Sequence, residues 1–320
     1  MQFINKLKDG DELNSVYHVK TKSQATAKTG KEYFNVCLSD KTGTIDAKIW
    51  DVNAPGIEEF KAGDFVAVEG DVISYNNQLQ VKVSRLRIAD KDEFNNEDYF
   101  ATSKYDKADM AKELDSLIAN VKNKNYSKLL KSFFTDDKKF REKFLSHQGA
   151  KTVHHSFVSG LVEHTISTTK LAIAIANNYD DINLDLVITT SLLHDIAKID
   201  EIAPYPINEY TDEGMLVGHI VLGYEIISKK IDELGGFSEV EKYELLHCIL
   251  SHHGSPEFGS PKQPMLMEAY IVSQADNTDA KLELMRENIA NAKITNKMDS
   301  NGFITNKFLG TNFRESKLNP

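Results

Sequence analysis

The sequence predicts a multidomain chain in which a small N-terminal all-β barrel is followed by an all-α domain. Three observations carry that prediction. Residues 13–88 alternate apolar and polar side chains with the period of two that marks half-buried strands. Beyond about residue 105 the apolar positions recur at helical spacing instead. Between the two regimes lies DEFNNED (92–98), a polar, acidic bridge and the best boundary candidate. A length of 320 residues suits about two average domains. The expected division is 1–90 for the barrel, 91–149 for a linker with connecting helices, 150–290 for the main helical domain and 291–320 for a C-terminal tail.

The β elements, in chain order, are LNSVYHVKTKSQ, KEYFNVCLSD, TIDAKIWDV, DFVAVEGDVISY and LQVKVSRLRIA. The breaks between them carry turn chemistry: Lys28-Thr29-Gly30-Lys31, Asp40-Lys41-Thr42-Gly43, Asn53-Ala54-Pro55-Gly56 and Asn76-Asn77. Five short strands, with a helical stretch expected near Gly56–Phe60 between the third and fourth, match the OB-fold layout. That barrel binds single-stranded nucleic acid through its strand 2–3 face and flanking loops. The candidate substrate contacts there are Lys20, Lys22 and Lys48 with the rings of Tyr33, Phe34 and Trp50; Lys28, Lys31 and Lys41 lie beside them. Alternate aromatics in a small barrel also serve as core, and that reading stays open for each ring.

In the helical half, residues 109–146 read as two amphipathic helices rich in Lys, Leu and Phe. After Ala290 the chain turns Asn-rich and loses any clear period. That tail reads either as disordered or as laid on a neighbouring subunit through Phe303, Phe308 and Phe313, and a homo-oligomer is expected. No internal repeat is present. Hydrophobic content of 41% with 27% charged residues excludes a disordered or collagenous chain. No run approaches the roughly 18 apolar residues of a membrane helix, and the start has no apolar signal-peptide core. Cys37 and Cys248 stand apart in apolar contexts with no CxxC spacing, so free thiols in a reducing cytoplasm are expected. The net charge of −10 splits as −1 over residues 1–90 and −9 over the rest. Nucleic-acid contact must therefore come from local basic stripes, and positive charge in the acidic half would come from a bound ion.

Ten histidines are present, most of them between residues 154 and 253. His164 has Leu161, Thr168, Leu171 and Ile175 at helical offsets, which places it on a buried stripe. His194, next to Asp195, has Val187 and Ser191 on its face; His219 has Leu216, Leu222 and Ile226. His252 follows Leu245, Cys248 and Ile249 on a helix opened by the capping box Ser238-x-x-Glu241. Asp276 follows Ala269, Val272 and Ser273. One buried histidine is usually a satisfied core residue. Four histidines and two aspartates aimed at one core are not, because burying them without neutralisation would cost several kcal/mol each. A divalent cation removes that cost by binding neutral imidazole and ionised carboxylate.

His164, His194-Asp195 and Asp276 reproduce an H…HD…D pattern, and in it the sequence resembles the HD-domain phosphohydrolases, an all-helical metal-dependent fold. HHSFVSGLVEHT (154–165) is similar to the segment that opens many members. An OB fold followed by an HD domain resembles the bacterial YhaM-type 3′-to-5′ exoribonucleases over nearly the whole chain. His164, His194, Asp195 and Asp276 can hold one ion; His219, His252 and His253 can hold a second, with Asp195 bridging. Two ions about 3.5–4 Å apart clamp the attacking and leaving oxygens of an in-line displacement and activate a water. The HD-GYP branch carries a glutamate four residues before its first ligand histidine; Gly160 stands there, which argues against a third ion. Lys198 is a candidate to neutralise a phosphate oxygen, His155 a candidate phosphate or leaving-group contact, and His253 an alternative phosphate donor. His154 and His247 read as core or surface residues. The donor set favours Mn²⁺, Fe²⁺, Co²⁺ or Zn²⁺ over Mg²⁺, and the resemblance favours Mn²⁺. The expected activity is a cytoplasmic 3′-to-5′ exoribonuclease releasing mononucleotides from single-stranded RNA, with single-stranded DNA also considered. The alternatives are an HD phosphodiesterase or phosphohydrolase acting on cyclic dinucleotides or nucleotides, and a non-catalytic single-strand-binding accessory protein.

Overall fold

The computed structural model describes residues 1–26, 30–76, 78–151, 155–295, 298–299, 302–306 and 311–316. They form two compact units, residues 1–101 with 205–207, and residues 102–204 with 208–320.

The first unit is a closed five-stranded barrel built from β1 (Glu12–Thr26), β2 (Glu32–Asp40), β3 (Gly43–Ile49), β4 (Phe65–Tyr75) and β5 (Gln78–Ile88) in the order β1-β2-β3-β5-β4. This is the expected OB layout. Strand β3 pairs with β5 in parallel (Ala47 opposite Val81), and the other pairings are antiparallel. Alternation puts Val36, Leu38, Ala47, Val68, Val81 and Leu86 inside. The β4–β5 pair bends at a bulge, where Ser84 of β5 is the extra residue opposite the Glu69–Gly70 step. Gly70 is needed there, since a Cβ would lie 2.3 Å from the Lys82 carbonyl oxygen.

Two details differ from the sequence expectation. The stretch near Gly56–Phe60 is irregular, not helical: Ile57 bridges to Leu86, whose N–H donates to the Gly56 carbonyl (2.8 Å). A long-range pairing thus takes the backbone groups a helix would have used. The acidic bridge is also packed on the barrel: Phe94 stacks on Phe65 at 3.8 Å, and Tyr99 meets Phe65 edge-on.

The second unit opens with three helices where two were expected: α1 (Lys107–Ala119), α2 (Lys124–Phe134) and α3 (Lys138–Ser146). Asp106, Asn123 and Asp137 cap them, each side chain accepting from first-turn amides. Asp137 caps the third of them, inside the stretch expected to hold two. Leu129, Phe134 and Phe144 join Leu161, Leu186 and Leu245 in one core, so these helices belong to the same body as the site below.

Then follow α4 (Gly160–Ala176), α5 (Leu184–Leu193), the short α6 (Lys198–Glu201) and α7 (Asp212–Leu216), α8 (His219–Leu234), α9 (Glu239–Ser251) and α10 (Met267–Thr295). Helix α4 packs between α5 and α10, and α8 pairs with α9. Helix α10 runs past Ala290, and the tail folds back as a hairpin of β6 (Ile304–Asn306) and β7 (Thr311–Phe313). Ile304 and Phe313 are buried against Ala292 of α10, so Phe313 is spent within its own chain; Phe308 lies outside the described residues. Among the described residues no helix is long and apolar enough to cross a membrane.

Candidate metal centre and nucleic-acid face

Five helices deliver the site. Helix α4 carries His164 one turn in from Gly160, whose backbone meets the preceding loop so closely that a Cβ would lie 2.0 Å from the His155 carbonyl oxygen. No side chain fits at Gly160, which is the physical reason a glutamate cannot stand there. His194 is the C-cap of α5 and Asp195 follows it. His219 opens α8, His252 is the C-cap of α9 with His253 beyond, and Asp276 lies on α10.

Asp195 is the hub. Its Oδ2 lies 3.3 Å from His194 Nε2, 3.4 Å from His164 Nε2 and 2.7 Å from Lys198 Nζ. Its Oδ1 lies 3.4 Å from His219 Nε2 and 3.8 Å from His252 Nε2. Asp276 Oδ1 adds contacts at 3.1 Å to His164 and 3.9 Å to His194. Around Asp195 the donor atoms form two groups, His164 with His194 and Asp276, and Asp195 with His219, His252 and His253, and one oxygen of Asp195 faces each; a third group, His155 with His164 and Asp279, lies on the Nδ1 side of His164. The structure thus brings together every residue the sequence put forward for the metal.

The tautomers follow from the outer partners. Nδ1 of His194 lies 2.8 Å from the Ser191 carbonyl, that of His252 2.7 Å from the Ile249 carbonyl and that of His253 2.8 Å from the Phe258 carbonyl. Nδ1 of His164 lies 2.7 Å from Asp279 Oδ2, and that of His219 2.8 Å from Glu201 Oε1. Each Nδ1–H therefore donates outward, which leaves Nε2 of His164, His194, His219 and His252 turned to Asp195. Nε2 of His194 and His164 stand 3.3 Å apart. Asp195 Oδ1, His219 Nε2 and His252 Nε2 are buried with no hydrogen bond. Lone pairs facing each other beside unsatisfied carboxylate oxygen fit a cation and are costly otherwise. The donor set fits a divalent transition metal.

Without a cation the electrostatics differ from one histidine to the next. Burial opposes charge on His164, but Asp195, Asp276 and Asp279 outweigh it and raise its pKa well above the usual imidazole range, so a cation binding there would displace a proton from its Nε2. Burial, helped by His253 and His194, holds His252 neutral. Burial likewise pushes His253 down. Asp195 stays ionised despite burial because Lys198 and His194 hold its carboxyl well down.

Asp279, Ser167 and Glu201 were not singled out from the sequence. Asp279 is one turn beyond Asp276, and its Oδ2 also meets His155 Nε2 at 3.0 Å while Ser167 Oγ donates to Oδ1. The i, i+3 repeat of aspartate on α10 was the available signal. Glu201 had none, because only packing brings it to His219.

Four expected contacts are engaged elsewhere in the structure. His155 is 2% exposed, and its Nε2 meets Asp279, which also holds His164 Nδ1. Lys198 is buried with its ammonium on Asp195, the i, i+3 partner, and neutralises the hub instead of a phosphate oxygen. Lys22 donates to the Phe60 carbonyl (2.7 Å) between the rings of Phe34 and Phe60, and Phe34 itself packs edge-on against Phe60. Both support the barrel. His247 accepts from the Met265 N–H, and His154 lies outside the described residues.

On the strand 2–3 face, Tyr33 stacks on Trp50 at 4.8 Å, and Trp50 is 48% exposed. Lys48 Nζ lies 5.5 Å from the Tyr33 ring centre and donates to Asn35 on the neighbouring strand. Lys20 is exposed on β1.

Comparison with known proteins divides the chain the same way. Residues 18–89 match the OB-fold nucleic acid binding domain, and residues 161–281 match the HD domain. The barrel is similar to a domain of replication protein A from Methanococcus maripaludis, at 25% identity over 28% of this chain and 96% of that one (TM-score 0.25). It is also similar to an OB domain from Methanosarcina mazei, at 20% identity over 28% and 84% (TM-score 0.24). A replication protein A heterotrimer bound to single-stranded DNA matches at 19% identity over 28% and 65% (TM-score 0.22). The chain carries an OB-fold nucleic acid binding domain followed by an HD domain.

Proposed function

We propose that this protein is a metal-dependent 3′-to-5′ exoribonuclease that removes mononucleotides from single-stranded RNA, with Mn²⁺ the favoured ion and the cytoplasm its setting. One observation carries the hydrolase half of the reading: four imidazoles, those of His164, His194, His219 and His252, turn Nε2 toward the two oxygens of a single buried aspartate, Asp195, with His253 in the same donor group. Bound divalent cations supply the positive charge that a phosphodiester and its attacking water require. His164, His194 and Asp276 would hold one, His219, His252 and His253 the other, and Asp195 both. Lys198 keeps Asp195 ionised. His219 and His253 are the partly exposed members, so substrate reaches the centre from their side. The single-strand half rests on the exposed Trp50 stacked on Tyr33 beside Lys48, a face on which a base can stack in any sequence.

The test offers chelator-stripped protein, reloaded with Mn²⁺, end-labelled single-stranded RNA, single-stranded DNA and a cyclic dinucleotide in parallel. The reading expects 5′-labelled RNA to shorten progressively with release of mononucleotides. Early internal fragments, or cleavage of circular RNA at an equal rate, would overturn exonucleolysis. Preference for the cyclic dinucleotide would move the activity to the small-nucleotide alternative.

A further inference from the structure

We propose that Asp279 and Glu201 are positioning residues, each setting the affinity of one ion through one histidine; this rests on the dinuclear reading above. Of the five imidazoles in the two donor groups around Asp195, three give Nδ1–H to backbone carbonyls, on Ser191, Ile249 and Phe258. Only His164 and His219 of that set give it to a carboxylate. The distribution is one per ion: His164 belongs with His194 and Asp276, His219 with Asp195, His252 and His253.

Both carboxylates are at least nine-tenths buried, Asp279 at 7% and Glu201 at 9% exposure, so solvent screens their charge poorly. Both are also clamped. Asp279 Oδ2 is shared between His164 and His155, and its Oδ1 accepts from Ser167 Oγ. Glu201 Oε1 accepts the backbone N–H of His219 (3.1 Å) as well as the ring Nδ1–H. A carbonyl behind an imidazole fixes its orientation; a carboxylate does that and also raises the ligand's basicity, which commonly changes metal affinity 10–100-fold. The protein thus places one strong imidazole donor in each half of the centre, and His155 and Ser167 act on the first ion only by holding Asp279.

The test uses full-length Asp279→Asn and Glu201→Gln, which keep an acceptor oxygen for Nδ1–H and lose only the charge. Stripped protein is titrated with Mn²⁺ by calorimetry, and electron paramagnetic resonance separates coupled from isolated ions. The wild type is expected to take up two ions. Each single variant should keep one at wild-type affinity and bind the other roughly 10–100-fold more weakly, so the six-line signal of an isolated Mn²⁺ appears at intermediate loading; the double variant should weaken both. Circular dichroism of the stripped proteins checks folding. If Asp279→Asn does not fold, Ser167→Ala reports on the same ion with a smaller loss. Two ions bound at unchanged affinity in folded variants would overturn the proposal, as would equal weakening of both ions by either variant. No ion in the wild type is a different result, and it would overturn the dinuclear reading itself.

Discussion

Removing the Asp195 carboxylate should have two separable consequences. Asp195→Ala deletes the oxygens that face His164 and His194 on one side and His219 and His252 on the other. Metal analysis of the purified variant should therefore find neither ion, not one. The same change strands Lys198, 9% exposed and 2.7 Å from Asp195 Oδ2. Breaking a buried pair on one side costs about 3–5 kcal/mol. Asp276 still acts on the Lys198 ammonium, and losing Asp195 relieves its repulsion with Asp276, so the low end, about 3 kcal/mol, is expected. Urea unfolding in the presence of chelator measures it. Adding Lys198→Met to Asp195→Ala removes the stranded charge and should recover most of that loss without restoring metal. A variant that keeps one ion would refute the bridging role. A double variant no more stable than Asp195→Ala would refute the stranded-charge argument.

Three further outcomes are expected. Trp50→Ala should weaken binding of long single strands by about 1–3 kcal/mol, roughly five- to 150-fold, with turnover at saturation little changed; an unaltered dissociation constant would assign Trp50 to the barrel alone. Glu241 is held below the usual carboxylate range by hydrogen bonds from Asn123 and the Ser238 backbone. Its contribution is thus present above the unfolded value of about 4.3 and is lost as pH falls through the lower folded value. Glu241→Gln, which keeps the capping hydrogen bonds and loses the charge near the helix N-terminus, should cost about 0.3–1 kcal/mol at pH 7, and almost nothing in strong acid; a pH-independent cost would contradict this. Burial pushes the Cys248 thiol up to about 12, so a thiol reagent at pH 8 should leave it unlabelled until the protein unfolds, and rapid native labelling would refute its burial.

The barrel was legible because its signal is local: alternation, turn residues and five strands in chain order. What failed were the features set by distant partners. Gly56–Phe60 looked helical, yet Leu86, some thirty positions on, takes its backbone groups. The break at Thr135–Asp137 is set by an Asx cap before a Lys-Lys-Phe turn, a local signal that the apolar residues on both sides obscure. Helix α10 was ended early because its last turns are polar; it persists where Ala292 meets Ile304 and Phe313 of the returning hairpin. Single-strand contacts were overcounted for a related reason. Period and charge place Lys22 and Phe34 on a face, but they do not say that Phe60 will occupy both.

The convergence of the candidate ligands has a physical reason that reaches beyond burial patterns. His194 and His252 sit at the C-caps of α5 and α9. The last-turn carbonyls of a helix have no amide partner, and each of these histidines gives its Nδ1–H back to the carbonyl three residues before it, Ser191 and Ile249. With Nδ1 tied to the helix end, Nε2 must point past it. That end carries negative partial charge, which favours a cation. A histidine at a helix C-cap, followed by Asp195 in one case and His253 in the other, is thus already a half-built cation site, and two such ends aimed at one space make both halves. His164 and His219 have no such local device. One lies within α4 and the other at the start of α8, and each depends on a carboxylate, Asp279 or Glu201, that only the packed fold delivers. The histidines at helix ends are oriented by their own helix; those held by carboxylates are oriented only once the helices have assembled around them.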